Sequence, residues 1–157
     1  MVYMVDLDKK IIAESFCTVS SHNLHQPAAI WAHLHPILRN IQLRFPEVKT
    51  LHIFSDGPFT QYRQKQNFYL ACTKPFEYDF EAVTWSFFEA GHGKGPADGI
   101  GGFLKRTADG IVARGKDISN IEQFVDALQE TSKIVLYIIT KEDIENISKE
   151  LLTNITR

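Results

Sequence analysis

Apolar and polar positions follow two spacings along this chain, and these spacings predict its secondary structure. Short apolar runs typical of β-strands occur at Val2–Val5, Ile11–Val19, Val48–Phe54, Val83–Phe88 and Lys133–Ile139. After Pro27, apolar residues recur at steps of three or four from Trp31 to Phe45, which predicts a helix with one buried face. Pro36 lies inside this stretch and is expected to kink or interrupt the helix.

Four further helices are predicted from capping residues and apolar spacing. The sequence favours a helix from Gln61 with Thr60 as its cap, one that ends near Ala113, one behind the capping box Ser119-x-x-Glu122, and a last one capped by Thr140. The aromatic and acidic stretch from Lys74 to Glu81 is expected to be a loop. Strands and helices in this order predict a mixed α/β layered domain.

Composition narrows the class of protein. A chain of 157 residues is long enough for one domain with a sizeable core. Its formal net charge of −2 argues against bulk positive charge as the means of holding nucleic acid, but leaves a local basic patch open. The two cysteines have no metal-type spacing, and no apolar stretch approaches the length of a membrane span.

A glycine-rich segment follows the strand that ends at Phe88. It carries His92 and Lys94 between glycines and then Asp98, and packing alone does not call for this combination. We interpret the segment as the floor of a binding or catalytic site, in which His92 could move a proton and Lys94 could hold a phosphate. A phosphate- or nucleotide-binding domain built around Gly91 to Gly102 is one alternative, although the spacing is not that of a P-loop.

Two carboxylates come directly after apolar strands. Asp56 follows the strand Val48–Phe54, and Asp98 opens the helix after the next central strand. Ligands of α/β sheets bind at the carboxyl ends of strands, so the two acids could share a divalent cation, Mg²⁺ or Mn²⁺. The structural alternative makes Asp56 a turn residue and Asp98 a helix cap.

Basic residues lie on the helices that follow these two acids. They are Arg63, Lys65, Lys105 and Arg106. Together they could track a nucleic-acid backbone, although each one is equally compatible with an ordinary charged helix face.

Two motif blocks carry a family resemblance. They read S-D-G-x-x-x-Q-Y from Ser55 and H-G-K-G-x-x-D-G-x-G-G-x-x-K-R from His92. From Val2 to Ala113 the chain resembles transposon-derived proteins of animals that are similar to RNase H-like, DDE-type transposases. The resemblance implies an RNase H-like mixed sheet with helices on both faces, DNA as the partner and nuclear residence.

The resemblance also implies a role for each matching residue. Asp56 would be the second metal-binding carboxylate and Asp98 the third, while His92 and Lys94 would line the same cleft. The family's first catalytic Asp lies on a strand upstream of the hairpin that residues 1–20 are predicted to form. The expectation is therefore a single domain over residues 1–157 that is truncated at its N-terminus and lacks the first strand, with residues 117–157 as a helix-strand-helix extension.

Three functional hypotheses follow. The leading one is a transposase-derived catalytic-core fragment, ancestrally active in metal-dependent DNA cleavage and strand transfer, and inactive alone. The second is a domesticated, non-enzymatic module that binds protein or nucleic acid. The third is the phosphate- or nucleotide-binding domain. A missing strand would also leave backbone and apolar surface exposed, which predicts homodimerisation, strand exchange or poor solubility.

Overall fold

The computed structural model describes residues 1–5, 8–23, 26–55, 65–88 and 95–155. Over these residues the fold is mixed α/β, as the sequence predicts, with six strands and five α-helices. The strands are β1 (Val2–Val5), β2 (Ile11–Glu14), β3 (Phe16–Val19), β4 (Thr50–Ser55), β5 (Ala82–Phe87) and β6 (Val135–Ile138). The helices are α1 (Pro27–Arg44), α2 (Lys65–Thr73), α3 (Pro96–Ala113), α4 (Ile121–Gln129) and α5 (Lys141–Ile155), with a 3₁₀ helix at Lys74–Tyr78.

The strands of the described ranges pair two by two instead of joining into one mixed sheet. β1 and β2 form an antiparallel hairpin in which Val5 lies opposite Ile11. β3 pairs in parallel with β6, and β4 pairs in parallel with β5. Both parallel and antiparallel pairing are therefore present, as expected of a mixed α/β fold.

The second predicted strand is divided in two. Ile11–Val19 breaks at Ser15, so that β2 stays in the hairpin while β3 pairs with β6. The Ser15 carbonyl accepts a hydrogen bond from the Val135 N–H at 2.9 Å, at the point where the partner changes. The single strand of the sequence prediction is wrong because the first half of this stretch pairs with the neighbouring β1 and the second half pairs with the distant β6.

Three local predictions need correction. α1 continues through Pro36 to Arg44, so the interruption that was one of the two predicted effects of Pro36 does not occur, because burial of the apolar face of α1 outweighs the backbone hydrogen bond that a proline cannot donate. The stretch after Lys74 begins with a 3₁₀ helix instead of a loop. The cap of α4 is Asn120, one residue beyond Ser119: its side-chain oxygen accepts from the Gln123 N–H at 2.8 Å, while Ser119 N–H donates to the Gln123 side chain.

The cap of α5 is as predicted. The Thr140 hydroxyl accepts from the Asp143 N–H at 3.2 Å, and the Asp143 carboxylate accepts from the Thr140 N–H at 2.8 Å. This reciprocal pair satisfies two backbone groups at the start of the helix.

The fold contains two compact units, each made of segments from both halves of the chain. The first unit holds β1, β2, β3, α3, α4 and β6. Its core is an aliphatic cluster that α3, α4 and β6 share with the segment before β6. The buried members are Leu104, Ile111, Ala127, Leu128, Ile134 and Leu136.

The second unit holds α1, β4, α2, the 3₁₀ helix, β5 and α5. A buried indole lies at its centre. The Trp31 N–H donates to the side-chain oxygen of Asn67 at 2.9 Å, and the Trp31 ring meets the Trp85 ring edge-on at 5.9 Å. The region 117–157 is thus shared between the units, with α4 and β6 in the first and α5 in the second.

None of the helices in the described ranges is both long and apolar enough to cross a membrane.

We expect Asn67→Ala to lower the free energy of unfolding by about 1–3 kcal/mol, because Asn67 is 1% exposed and its loss leaves the Trp31 N–H buried without a partner. Urea unfolding followed by fluorescence measures this change. Gln66→Ala, at an exposed position of the same helix, is the control and should cost less than about 0.5 kcal/mol. Equal effects of both substitutions would contradict the role of the buried hydrogen bond.

We expect the hairpin to drive self-association, because Tyr3, Val5 and Ile11 are all exposed on one of its faces. Val5→Lys combined with Ile11→Lys should weaken a homodimer by about tenfold or more, since two apolar side chains would no longer be buried. Sedimentation velocity over a concentration series tests this. Leu152→Lys, at an exposed apolar position of α5, is the control, and a wild-type chain that stays monomeric would refute the expectation.

Candidate functional site

The strands that precede the two motif blocks in the sequence end at adjacent points. β4 ends at Ser55 and β5 ends at Phe87, and the parallel register places these two residues opposite each other. One step further, the Phe88 N–H donates to the Ser55 carbonyl at 2.8 Å. Asp56 follows Ser55 directly in the sequence, and the glycine-rich segment follows Phe88. The described chain therefore ends before each motif segment at the carboxyl edge of one pair of parallel strands.

Half of the predicted site residues belong to the described part of the chain. Asp98, Lys65, Lys105 and Arg106 are described. The predictions for Asp56, Arg63, His92 and Lys94 fall outside the described residues, and so do those for Thr60 and the start of the helix that it would cap.

Asp98 lies in the first turn of α3 and acts there as a cap. Its side-chain oxygen accepts from the Gly95 N–H at 3.3 Å, and its own N–H donates to the Gly95 carbonyl at 3.1 Å. The side chain is exposed, and a carboxylate at this end of a helix also interacts favourably with the helix dipole. The cap that the sequence offers as an alternative role for Asp98 is therefore formed.

The glycines of α3 leave backbone bare near Asp98. A Cβ atom added at Gly99 or Gly101 would meet no described atom within 4 Å, so packing within the described chain does not require glycine there. At Gly102 an added Cβ would lie 3.2 Å from a guanidinium nitrogen of Arg106. The Arg106 side chain thus folds back over Gly102, on the exposed surface of the helix.

The basic residues of the prediction are exposed on two helices. Lys65 is the first residue of α2, in the second unit. Lys105 and Arg106 are neighbours on α3, in the first unit. All three positions are compatible with phosphate contact and with an ordinary solvated helix surface.

The β4–β5 pair has an exposed face that was not predicted from the sequence. Alternate residues of both strands are exposed on this face, and two aromatic rings lie at its carboxyl edge. Phe54 and Phe88 are stacked with a centroid distance of 6.1 Å and an angle of 27° between the rings. Beside them, a ring nitrogen of His52 and the Thr84 hydroxyl are 2.7 Å apart and share a hydrogen bond. The alternation of Thr50, His52 and Phe54 with apolar residues was the signal for this face.

Side-chain contacts on the opposite face join the same two strands. The Trp85 N–H donates to the Ser55 hydroxyl at 3.0 Å, which joins the two strand ends through side chains as well as through the backbone. The Trp85 ring also stacks with Phe87 at 6.1 Å and contacts Trp31 edge-on. The carboxyl ends of β4 and β5 are therefore preorganised.

A separate polar cluster contains a buried ammonium group. Lys74 is 4% exposed, and its ammonium nitrogen contacts the carboxylates of Glu150 and of Glu77, the latter at 3.0 Å. Burial disfavours the charged form, but the two carboxylates outweigh it and raise the pKa of Lys74. This ion pair ties α5 to the 3₁₀ helix and carries a structural role.

Tyr78 and His35 extend this cluster. The Tyr78 hydroxyl and a ring nitrogen of His35 are 2.6 Å apart and share a hydrogen bond. Burial, reinforced by the negative charges of Glu77 and Glu150, raises the pKa of Tyr78 to about 12. The ring of His35, an exposed residue of α1, is therefore hydrogen-bonded to the Tyr78 hydroxyl. Within the described ranges no three His, Cys, Asp or Glu side chains come together as a metal-binding group.

We expect alkaline pH to destabilise the fold through Tyr78. Between pH 10 and 12 the unfolded chain releases this proton while the folded chain keeps it, so the free energy of unfolding falls as pH rises. Tyr78→Phe should flatten the fall by about 1–2 kcal/mol, since solvent screens the half-exposed carboxylates. Urea unfolding across this pH range measures the slope, with the exposed Tyr3→Phe as control. Identical slopes in wild type and Tyr78→Phe would contradict the assignment.

Comparison with curated proteins gives no match for this chain. Comparison with solved structures gives no match either. A protein-family model described as Domain of unknown function (DUF8701) matches residues 1–157, the full length of the sequence. The chain therefore belongs to the DUF8701 family.

Proposed function

We propose that this chain is a transposase-derived, RNase H-like catalytic-core fragment. Its ancestral chemistry is metal-dependent cleavage and strand transfer of DNA, and the fragment is inactive by itself. The proposal combines the motif resemblance with one structural observation, the junction of the β4 and β5 ends at Ser55 and Phe88. Nuclear residence belongs to the same proposal.

The strand junction carries the argument. Because the Phe88 N–H donates to the Ser55 carbonyl, the segments that contain the first and the second motif block begin side by side. Ligands of parallel α/β sheets bind at the carboxyl ends of neighbouring strands. Two motif blocks that lie far apart in sequence thus start where such a site is expected.

The order of elements agrees with the proposal. The hairpin β1–β2, helix α1, strand β4, helix α2, strand β5 and helix α3 follow in this order, with β3 between the hairpin and α1 and the 3₁₀ helix between α2 and β5. The order that the resemblance implies after the first strand is a hairpin, helix, strand, helix, strand and helix, so it agrees apart from these two additional elements. β4 and β5 pair in parallel, which suits a sheet whose ligand site lies at one edge.

A divalent metal fits the chemistry of the donors. Asp98 presents an exposed carboxylate at the start of α3, and Mg²⁺ and Mn²⁺ favour such oxygen ligands. Asp56 and Asp98 would hold the ion, which when bound would stabilise the charge that develops on a phosphate. Two carboxylates hold a metal less firmly than three, which accounts for the proposed inactivity of this chain by itself.

DNA is the proposed partner. The exposed Lys65, Lys105 and Arg106 would neutralise phosphates, and such contacts weaken as salt rises because counterions compete. His92 and Lys94 retain the roles that the resemblance implies for them, a proton carrier and a phosphate contact in the same cleft.

The cap formed by Asp98 favours a second candidate, a domesticated interaction module without enzymatic activity. A carboxylate that accepts the Gly95 N–H has a structural reason to be present without any metal. In that case partner binding would be unchanged after both Asp56 and Asp98 become Asn.

We expect Mn²⁺ to broaden amide signals near Ser55 and near Asp98, and the broadening to vanish in the Asp56→Asn, Asp98→Asn double variant. Paramagnetic relaxation of assigned amides measures it. Asp109→Asn, at an exposed position further along α3, is the matched control and should leave the broadening intact. The wild type should also leave DNA uncut in Mg²⁺.

Uniform or absent broadening in the wild type would refute the metal site and favour the interaction module. Cleavage of DNA by the wild type that the double variant lacks would refute the proposed inactivity.

A further inference from the structure

A buried cation lies where α5 contacts the 3₁₀ helix. The ammonium group of Lys74 has two carboxylate partners among the described residues, Glu77 and Glu150. Glu77 lies on the same 3₁₀ helix as Lys74, whereas Glu150 lies on α5, and all of them belong to the second unit. One partner of the buried charge is therefore local, and the other is supplied by a different helix.

The members of this ion pair are not equally buried. The side chains of Glu77 and Glu150 are 56% and 50% exposed, so water solvates each carboxylate on its outer side. Lys74 has no such access to water, because the residue is only 4% exposed. Loss of the contact would leave the carboxylates hydrated but the ammonium group poorly solvated, and a buried charge without a partner is far more unfavourable than an exposed one.

The 3₁₀ helix is anchored more firmly than α5. Its Pro75 and Tyr78 are buried, and so is Phe80 directly after it. α5 contacts α1 and buries one apolar stripe, made of Ile144, Ile147 and Leu151. Movement of the 3₁₀ helix would disturb the core on both sides of Lys74, whereas departure of α5 would bring water to Lys74 and leave the 3₁₀ helix in place.

We propose that α5 is an acid-releasable helix, whose attachment to α1 and to the 3₁₀ helix depends on the negative charge of Glu150. While Glu150 is ionised, its carboxylate compensates the charge of Lys74 and α5 stays attached. When Glu150 takes up a proton, the ammonium group loses the partner that α5 supplies, and local release of α5 hydrates it. This inference does not depend on the proposed function.

The titratable and charged groups around Lys74 come from three elements. They are Glu150 on α5, Glu77 and Tyr78 on the 3₁₀ helix, and His35 and Arg39 on α1. Carboxyl groups of proteins take up protons between about pH 5 and about pH 3, whereas imidazole groups do so near about pH 6.5. Attachment requires the ionised carboxylate, so it weakens as pH falls through the carboxyl range.

Lys74 stays charged throughout this range. Burial disfavours its charged form, but the hydrogen bonds to Glu150 and Glu77 outweigh burial and raise the pKa of Lys74. The stabilisation of Lys74 itself is lost only in alkali, as pH rises through this raised pKa. Acid therefore neutralises the carboxylates and leaves the buried cation, so a chain without the lysine charge should keep α5 attached.

The test measures amide hydrogen exchange of α5 by NMR at neutral pH. In Glu150→Gln, exchange of the Ile147 and Leu151 amides should become about 10- to 150-fold faster, which corresponds to the loss of a hydrogen bond to a charged group. Glu145→Gln is the matched control on the same helix, because its ion pair with Lys141 lies on the surface. Exchange in this control should stay within about threefold of wild type.

Removal of the lysine charge identifies the cause. Lys74→Met keeps an unbranched apolar side chain, and in combination with Glu150→Gln it should return α5 exchange to within about threefold of wild type. In the wild type, α5 exchange corrected for the intrinsic rate should rise between about pH 5 and about pH 3, and Lys74→Met should suppress this rise. The Leu70 amide on α2 should be unaffected in every case, because the release is local.

Four outcomes would overturn the proposal. They are equal exchange in Glu150→Gln and Glu145→Gln, failure of Lys74→Met to restore protection, an equal rise at Leu70, which would mean global unfolding, and an acid response that is complete above about pH 5. The last outcome would assign the pH dependence to His35 instead.

Discussion

One buried indole connects the second unit. Trp31 donates its N–H to Asn67 on α2 and presents its ring edge to Trp85 on β5, while Trp85 in turn donates to Ser55 on β4. Four elements thus depend on two indole rings and two hydrogen bonds in a poorly solvated environment. Polar contacts of this kind favour one arrangement, because a buried donor that loses its acceptor pays the cost of desolvation.

This constraint reaches the surface through Ser55. Ser55 is the last residue of β4, its hydroxyl accepts from the Trp85 N–H, and its carbonyl accepts from the Phe88 N–H. The same contacts of Ser55 therefore hold both the carboxyl ends of β4 and β5 and the exposed face of this strand pair in place. A site placed at this edge needs little ordering of its own.

Local signals explain the parts of the fold that could be predicted. The hairpin strand Val2–Val5, the strand before the glycine-rich segment and the end of α3 at Ala113 all follow from periodicity and breakers within a short window. The break at Ser15 does not, because its cause is pairing with β6, which comes much later in the chain. The shift of the α4 cap has a subtler origin: Ser119 and Asn120 are both good caps, and the Gln123 side chain decides between them.

Some features of the candidate site could likewise be predicted from local sequence signals, and others could not. The carboxylates were visible because each follows an apolar strand, and the capping geometry of Asp98 was available as an alternative from its place in the first helical turn. The exposed face of the β4–β5 pair was not predicted, since an apolar run such as Val83–Phe88 is typical of a central strand that is covered on both faces. Only the structure shows that its alternate residues lack a cover within the described chain.

The glycines of α3 make its N-terminal turns less stable than its C-terminal turns. Leu104 and Ile111 anchor its middle and last turns in the core, whereas Gly99, Gly101 and Gly102 weaken the first turns by about 1 kcal/mol each relative to alanine. Local unfolding would thus begin at the turn capped by Asp98 and leave the core intact. The first turn of α3, which contains Asp98, is therefore expected to fray while the rest of its unit stays folded.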